Sequence, residues 1–143
     1  MSVSVDSILI VEDNSVDLDL AIRAFGRCNL INPLRIARDA EEVIALMQRW
    51  EEGEPTPTLI LLDLNLPGLS GMEVLRQIKT HDKFKTIPVI MLTSSGDEED
   101  IQEAYLLGAN SYIIKPMDFG RFRELAAQIG SYWCRVNTSP KYV

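Results

Sequence analysis

Long apolar runs are missing from this 143-residue sequence, and so is any excess of positive charge. Each apolar stretch is only a few residues long, from the Met1-Ser2-Val3-Ser4-Val5-Asp6 start onward. No signal peptide or membrane span is legible, and a cytoplasmic protein is expected. Lysine and arginine number 14 against 21 aspartates and glutamates, a formal net charge of −7. That charge repels nucleic acid phosphates and anionic lipid surfaces, which argues against a direct role on DNA or membranes. Cysteine is scarce as well: Cys28 and Cys134 lie far apart and form no Cys-x-x-Cys pair. They read as two thiols of a reducing compartment, with no part in the chemistry. Internal repeats and low-complexity segments are absent too.

What is present suits one ordinary domain, since a chain of this length with 46% apolar residues can bury a core without metals or disulfides. Five short apolar runs read as strands: Ile8 to Val11, Leu34 to Ala37, Leu59 to Leu62, Val89 to Leu92 and Tyr112 to Ile114. Four of them are apolar at nearly every position, the pattern of a strand covered on both faces. The run containing Arg35 is the exception and is expected at an edge. Helical spacing fills the gaps, with stripes at Leu18, Ala21, Ile22 and Phe25; at Val43, Ile44 and Met47; and at Met72, Leu75 and Ile78. Ile101, Ala104 and Tyr105 make a fourth stripe, and Phe119, Phe122, Leu125, Ala126 and Ile129 a fifth. Ser15 and Ser70 are expected to cap helix starts and Gly108 to close the fourth helix, while Pro33, Pro67, Pro88 and Pro116 interrupt helical continuation. Regular strand–helix alternation gives a parallel sheet with right-handed crossovers and helices on both faces. The acidic segment Glu51-Glu52-Gly53-Glu54-Pro55-Thr56-Pro57 reads as a surface loop. Residues 1–143 are expected to form a single domain, with 131–143 as an extension beyond the fifth helix and no effector domain.

Ligands of an open α/β sheet bind beyond the carboxyl ends of its strands. The first strand is followed by Glu12-Asp13, the third by Asp63, the fourth by Thr93-Ser94-Ser95 and the fifth by Lys115-Pro116. Glu12, Asp13 and Asp63 would repel one another unless a cation sat among them or some stayed protonated. Mg²⁺ takes oxygen ligands and retains waters, so these carboxylates with a backbone carbonyl, that of Asn65, would suffice and leave room for a phosphoryl oxygen. A carboxylate can attack phosphorus, and Asp63 is the candidate nucleophile. Lys115 would supply a point charge and Thr93 a hydroxyl, while the small Ser94 would let its backbone N–H approach the phosphoryl group. Taken singly, each residue has an ordinary explanation as a first-turn acid, a turn hydroxyl or a solvated lysine. Their joint placement at separate strand ends carries the reading.

These residues resemble the receiver domains of two-component response regulators over nearly the whole chain. Leu61-Leu62-Asp63-Leu64-Asn65-Leu66-Pro67-Gly68 followed by Gly71 is similar to the family's phosphoacceptor segment, and Glu12-Asp13 to its acidic pair. The resemblance implies a CheY-like, doubly wound (βα)5 fold with strand order 2-1-3-4-5. It implies Mg²⁺ (or Mn²⁺) bound by Asp13 directly and by Glu12 through water. Thr93 and Tyr112 would be the switch residues, and Lys115–Pro116 a cis peptide bond. It also implies a histidine kinase as phosphoryl donor and output through the fourth helix, fifth strand and fifth helix. A narrower similarity, in Leu59 to Pro67, Asp100 to Tyr112 and the ending Ser131-Tyr132-Trp133, is to the small regulators that serve cyanobacterial phytochrome kinases. Tyr132 and Trp133 could cap the helical layer or, alternatively, form a homodimer contact with the output face.

Three rivals stay open at this point. An aspartate-nucleophile phosphatase would carry a second aspartate two residues after the first, where this chain has Asn65. A flavin module of the same topology would need a Ser, Thr or Gly cradle after the first strand, where the chain is acidic. A constitutive adaptor with an inert acidic site is the third.

Overall fold

The computed structural model describes residues 7–27 and 32–140; Cys28, the first six residues and the last three lie outside them. Five strands are present: β1 (Ile8–Val11), β2 (Leu34–Ala37), β3 (Leu59–Leu62), β4 (Val89–Thr93) and β5 (Ser111–Ile114). They pair in parallel in the order β2-β1-β3-β4-β5. β1, β3 and β4 are buried at every position, as their unbroken apolar sequences predict. β2 lies at one edge, as Arg35 suggested. β5 lies at the other and is only half-buried, because an edge strand has a neighbour on one side alone.

The helices are α1 (Ser15–Gly26), α2 (Ala40–Glu51), α3 (Gly71–Thr80), α4 (Glu98–Leu107) and α5 (Phe119–Ser131), and a π-helical turn (Tyr132–Val136) prolongs the last of them. Each of the five takes an N-cap from a short polar side chain: Asn14, Asp39, Ser70, Asp97 and Asp118. Ser70 is as predicted. At α1 the cap is Asn14 rather than Ser15, since Asn14 keeps extended backbone angles and its amide oxygen accepts from the N–H groups of Val16 and Asp17. Gly108 ends α4 with φ +109°, a left-handed turn in which a side chain would be strained.

Two apolar clusters lie on opposite faces of the sheet. One joins α2, α3 and α4 to the sheet through Val43, Met47, Leu75, Ile78 and Ala104; the other joins α1 and α5 through Leu18, Phe25, Phe122 and Ile129. The α2 stripe runs further than its sequence spacing suggested, because Trp50 is buried and meets Phe84 edge-on. Ile22 of α1 and Tyr105 of α4 stand at the margin of their stripes and are exposed. Trp133 and Cys134 pack against the α1–α5 cluster, whereas Tyr132 remains exposed with its ring at right angles to Trp133.

At the amino edge of the sheet Lys79, near the end of α3, donates to the carbonyls of Lys85 and Ile87 and to the Asn110 amide oxygen at 3.0, 2.7 and 2.9 Å. Asn110 in turn accepts from the Val89 N–H. One ammonium thereby ties α3 to the starts of β4 and β5. Burial pushes Lys79 down to about 8, which leaves it charged at neutral pH. Lys79→Met would remove this donor from the Lys85 and Ile87 carbonyls and leave Asn110 Oδ1 with the Val89 N–H alone. It is expected to cost about 1–3 kcal/mol in urea-unfolding measurements, with no change at the opposite edge of the sheet.

Candidate functional site

Strand register assembles the site. Val11 is level with Leu62, so the next residues, Glu12 and Asp63, emerge side by side from the two central strands. Thr93 is level with Ile114, which places Lys115 one step beyond the same edge. The Lys115 N–H donates to the Thr93 carbonyl at 2.8 Å and fixes that step.

The Lys115 ammonium is the centre of the arrangement. It donates to Glu12 Oε1, to Asp17 Oδ2 at 2.8 Å and to Asp63 Oδ2 at 2.9 Å. An ammonium has three N–H donors, and each has a carboxylate partner. Glu12, Asp63 and Thr93 are all buried. Burial, reinforced by the charge of Asp63, pushes the Glu12 carboxyl up to about 7 even with Lys115 beside it. Burial also acts on Asp63, but there the Lys115 hydrogen bond and charge, with help from Glu12 and Thr93, outweigh it and hold the carboxyl below its usual value. Lys115 itself feels the opposite pull: burial disfavours its charge, and the bonds to Asp17, Glu12 and Asp63 more than restore it. Of the buried acid pair, Asp63 is thus held toward its ionised form and Glu12 is pushed toward its protonated form.

The remaining sequence candidates sit around this centre. Asp13 is exposed at the end of β1 and takes no part in the Lys115 cluster. Among the described residues no trio of carboxylates is already drawn together at metal-binding spacing, since Lys115 lies between them. The donor set nevertheless suits a hard divalent cation, because every available ligand is an oxygen and two of the carboxylates are buried side by side. Asn65 is exposed and its N–H donates to Asp63 Oδ1 at 3.3 Å. Ser94 is exposed next to the buried Thr93. Tyr112 is half-buried against the α2–α4 core, and its hydroxyl donates to the Ser95 carbonyl at 2.8 Å.

One expectation is corrected. No peptide bond is cis among the described residues, so Lys115–Pro116 is trans. The trans form is favoured intrinsically by about 0.5–1 kcal/mol, and Lys115 reaches all three carboxylates with it. No contact at this turn calls for the rarer isomer. One participant was missed altogether: Asp17, on the first turn of α1, which nothing in the sequence singled out. The segment from Asp63 to Gly71 also has a steric requirement. The Gly71 N–H donates to the Leu64 carbonyl at 2.9 Å, and a Cβ on Gly71 would lie 2.0 Å from the Asp63 carbonyl oxygen. Only glycine lets α3 start this close to Asp63.

Comparison with known proteins gives a family and near-full-length relatives. Residues 8–127 match the response regulator receiver domain. The probable methanogenesis regulatory protein FilR2 of Methanothrix harundinacea (strain 6Ac) is 38% identical over 134 residues, 93% of this chain and 86% of its own. Response regulator Rcp1 of Synechocystis sp. is 38% identical over 135 residues, 93% of this chain and 92% of its own. The crystal structure of its Mn(2+)-bound form has a TM-score of 0.87 at 36% identity, covering 95% of this chain and 99% of that one. The phosphorylated cyanobacterial phytochrome response regulator RcpA has a TM-score of 0.88 at 34% identity, with the same coverage.

The raised Glu12 carboxyl makes stability depend on pH. Between its ordinary value of 4.5 and about 7 the folded chain binds more protons at Glu12 than the unfolded chain does, so stability falls as pH rises through that window. Urea unfolding with chelator present should lose about 1–3 kcal/mol between about pH 5 and 7.5. Glu12→Gln should flatten the profile; an equally steep slope in that variant would assign the titration elsewhere.

Proposed function

The chain belongs to the response regulator receiver domains, and on that premise we propose that Asp63 is its phosphoacceptor. As a member of the family it is a response regulator of phosphorelay signalling. The observation that carries the assignment is the buried Asp63 carboxylate, kept ionised by Lys115 at the end of a central strand. In the proposed transfer an Asp63 carboxylate oxygen bonds to phosphorus as the bond from phosphorus to the donor's phosphohistidine nitrogen breaks. The electron pair leaves with the imidazole. Lys115 and the Thr93 hydroxyl receive the phosphoryl oxygens, and the Ser94 N–H provides a further contact. Glu12, Asp13, Asp63 and the Asn65 carbonyl are the residues that would hold Mg²⁺ or Mn²⁺, which supplies charge neutralisation on the phosphoryl oxygens.

We assign Thr93 and Tyr112 as the switch pair. Both already engage the β4–α4 loop, Thr93 Oγ1 by accepting from the Ser95 N–H and Tyr112 through the Ser95 carbonyl. The expected role is a switch and not turnover of phosphate esters, since Asn65 stands where a phosphatase of this type has its general acid. The phosphoryl donor in this reading is a histidine kinase of phytochrome type, supported by the near-full-length likeness to RcpA and Rcp1. The partner-facing surface is α4, β5 and α5, where Tyr105, Leu106, Ile114 and Met117 are exposed. Tyr132 adds an exposed ring on the extension. This face is suited to a homodimer.

Two measurements test the reading. Incubation with acetyl phosphate and Mg²⁺, followed by intact-mass analysis, should add one phosphoryl group to the native chain and none to Asp63→Asn. Equal labelling of that variant would remove Asp63 from its role. Sedimentation of the native chain, with and without a phosphoryl analogue, should reveal dimers at high protein concentration. Monomers under both conditions would end the homodimer proposal.

A further inference from the structure

Asp17 is the carboxylate that the receiver reading of the site leaves without a task. It lies on the first turn of α1, where its N–H donates to the Asn14 cap at 3.0 Å, so its backbone is fixed independently of the cluster. Its side chain nevertheless takes one of the three Lys115 N–H donors, at 2.8 Å. The three carboxylates around Lys115 differ in one respect. The side chains of Glu12 and Asp63 are each 6% exposed, and that of Asp17 is 35% exposed. All three ammonium donors are occupied, so Lys115 can bond a phosphoryl oxygen only by giving up an existing partner. Before the transfer, releasing Asp63 would strand a buried carboxylate, and releasing Glu12 would leave a buried carboxyl without its donor. Releasing Asp17 exchanges an ion pair for water at a site water already reaches, which costs far less. The fully engaged ammonium therefore has one inexpensive exit.

We propose that Asp17 is a positioning residue that holds Lys115 in the unphosphorylated protein and yields it to the phosphoryl group arriving on Asp63. This rests on Asp63 being the acceptor. In the transfer itself an Asp63 oxygen bonds to phosphorus, the bond from phosphorus to the donor oxygen breaks, and acetate leaves with the electron pair. Asp17 touches none of these atoms; it sets how readily Lys115 turns to meet them. Its negative charge also opposes the incoming dianion, so both effects slow phosphorylation and favour the resting state.

The test is the rate of labelling by acetyl phosphate with Mg²⁺, read by intact mass, for the native chain, Asp17→Asn, Asp17→Ser and Asp19→Asn. Asp19 is on the same helix, 58% exposed and paired with Arg23, so its variant removes the same charge without touching Lys115. Thermal unfolding reports whether each variant is folded, and Asp17→Ser stands in if Asp17→Asn is not. We expect labelling about three- to tenfold faster in the Asp17 variants and unchanged in Asp19→Asn. Slower or unchanged labelling in the Asp17 variants overturns the proposal, as does an equal acceleration in Asp19→Asn. Failure of the native chain to be labelled would instead overturn the acceptor assignment, and this proposal with it.

Discussion

The Lys115 ammonium is the interaction on which the carboxyl edge of the sheet depends. It gathers residues from β1, α1, β3 and β5, elements that the chain visits at widely separated times, and it neutralises charges that could not otherwise be buried together. Glu12 and Asp63 emerge from adjacent central strands because the register leaves them no alternative. Without a cation between them, two such carboxylates cannot both stay ionised in a buried site. Lysine is the right residue for this position. Its charge is compact and its stem flexible, so one ammonium can serve three carboxylates carried by separate elements.

The site's precision comes from backbone features more than from side-chain packing. Gly71 brings the start of α3 against the Asp63 carbonyl, and the bond from the Gly71 N–H to the Leu64 carbonyl holds it there. Asp63 is thereby gripped from below by β3 and from one side by α3. At the far edge Lys79 does for the starts of β4 and β5 what Lys115 does for the strand ends, but its partners are carbonyl and amide oxygens. The half-buried Lys79 meets neutral acceptors, whereas Lys115 meets anions.

Most of this was legible in the sequence because buried parallel strands announce themselves. β1, β3 and the Val89 to Leu92 stretch of β4 are runs of Ile, Leu, Val and Met that no amphipathic surface would carry, and Glu12, Asp63, Thr93 and Lys115 follow from where the runs stop. What escaped depends on tertiary placement. Asp17 falls two residues into a helix whose cap, Asn14, attracts acids on local grounds alone, so nothing marked it as a partner for a lysine 98 residues away. Asn14 and Ser15 are both good caps, and only the point where helical angles begin chooses between them. Trp50 and Phe84 are buried as a pair, the first at the end of α2 and the second in the turn after α3, and neither position has a periodicity that predicts the other. The trans Lys115–Pro116 bond differs from what the family likeness implied, and no residue around it could have decided the isomer.

In the proposed switch, a change at Asp63 would reach α4 through the β4–α4 loop. The β4–α4 loop is held from β5 at two points: the Lys115 N–H on the Thr93 carbonyl and the Tyr112 hydroxyl on the Ser95 carbonyl. Ser95 then donates through its own hydroxyl to Asp100 in the first turn of α4 at 2.6 Å, and accepts from the N–H of the Asp97 cap. If Thr93 moves toward a phosphoryl group it must draw Ser95 with it, and Ser95 cannot move without disturbing the Tyr112 bond, the Asp100 bond or both. α4 is poorly anchored against such a pull. Ala104 is its one buried residue, while Tyr105 and Leu106 face solvent. A helix with so little of its surface in the core is the element that a small displacement at its N-terminus can tilt, and in the proposed switch the exposed apolar side chains on α4 and β5 would report the state of Asp63.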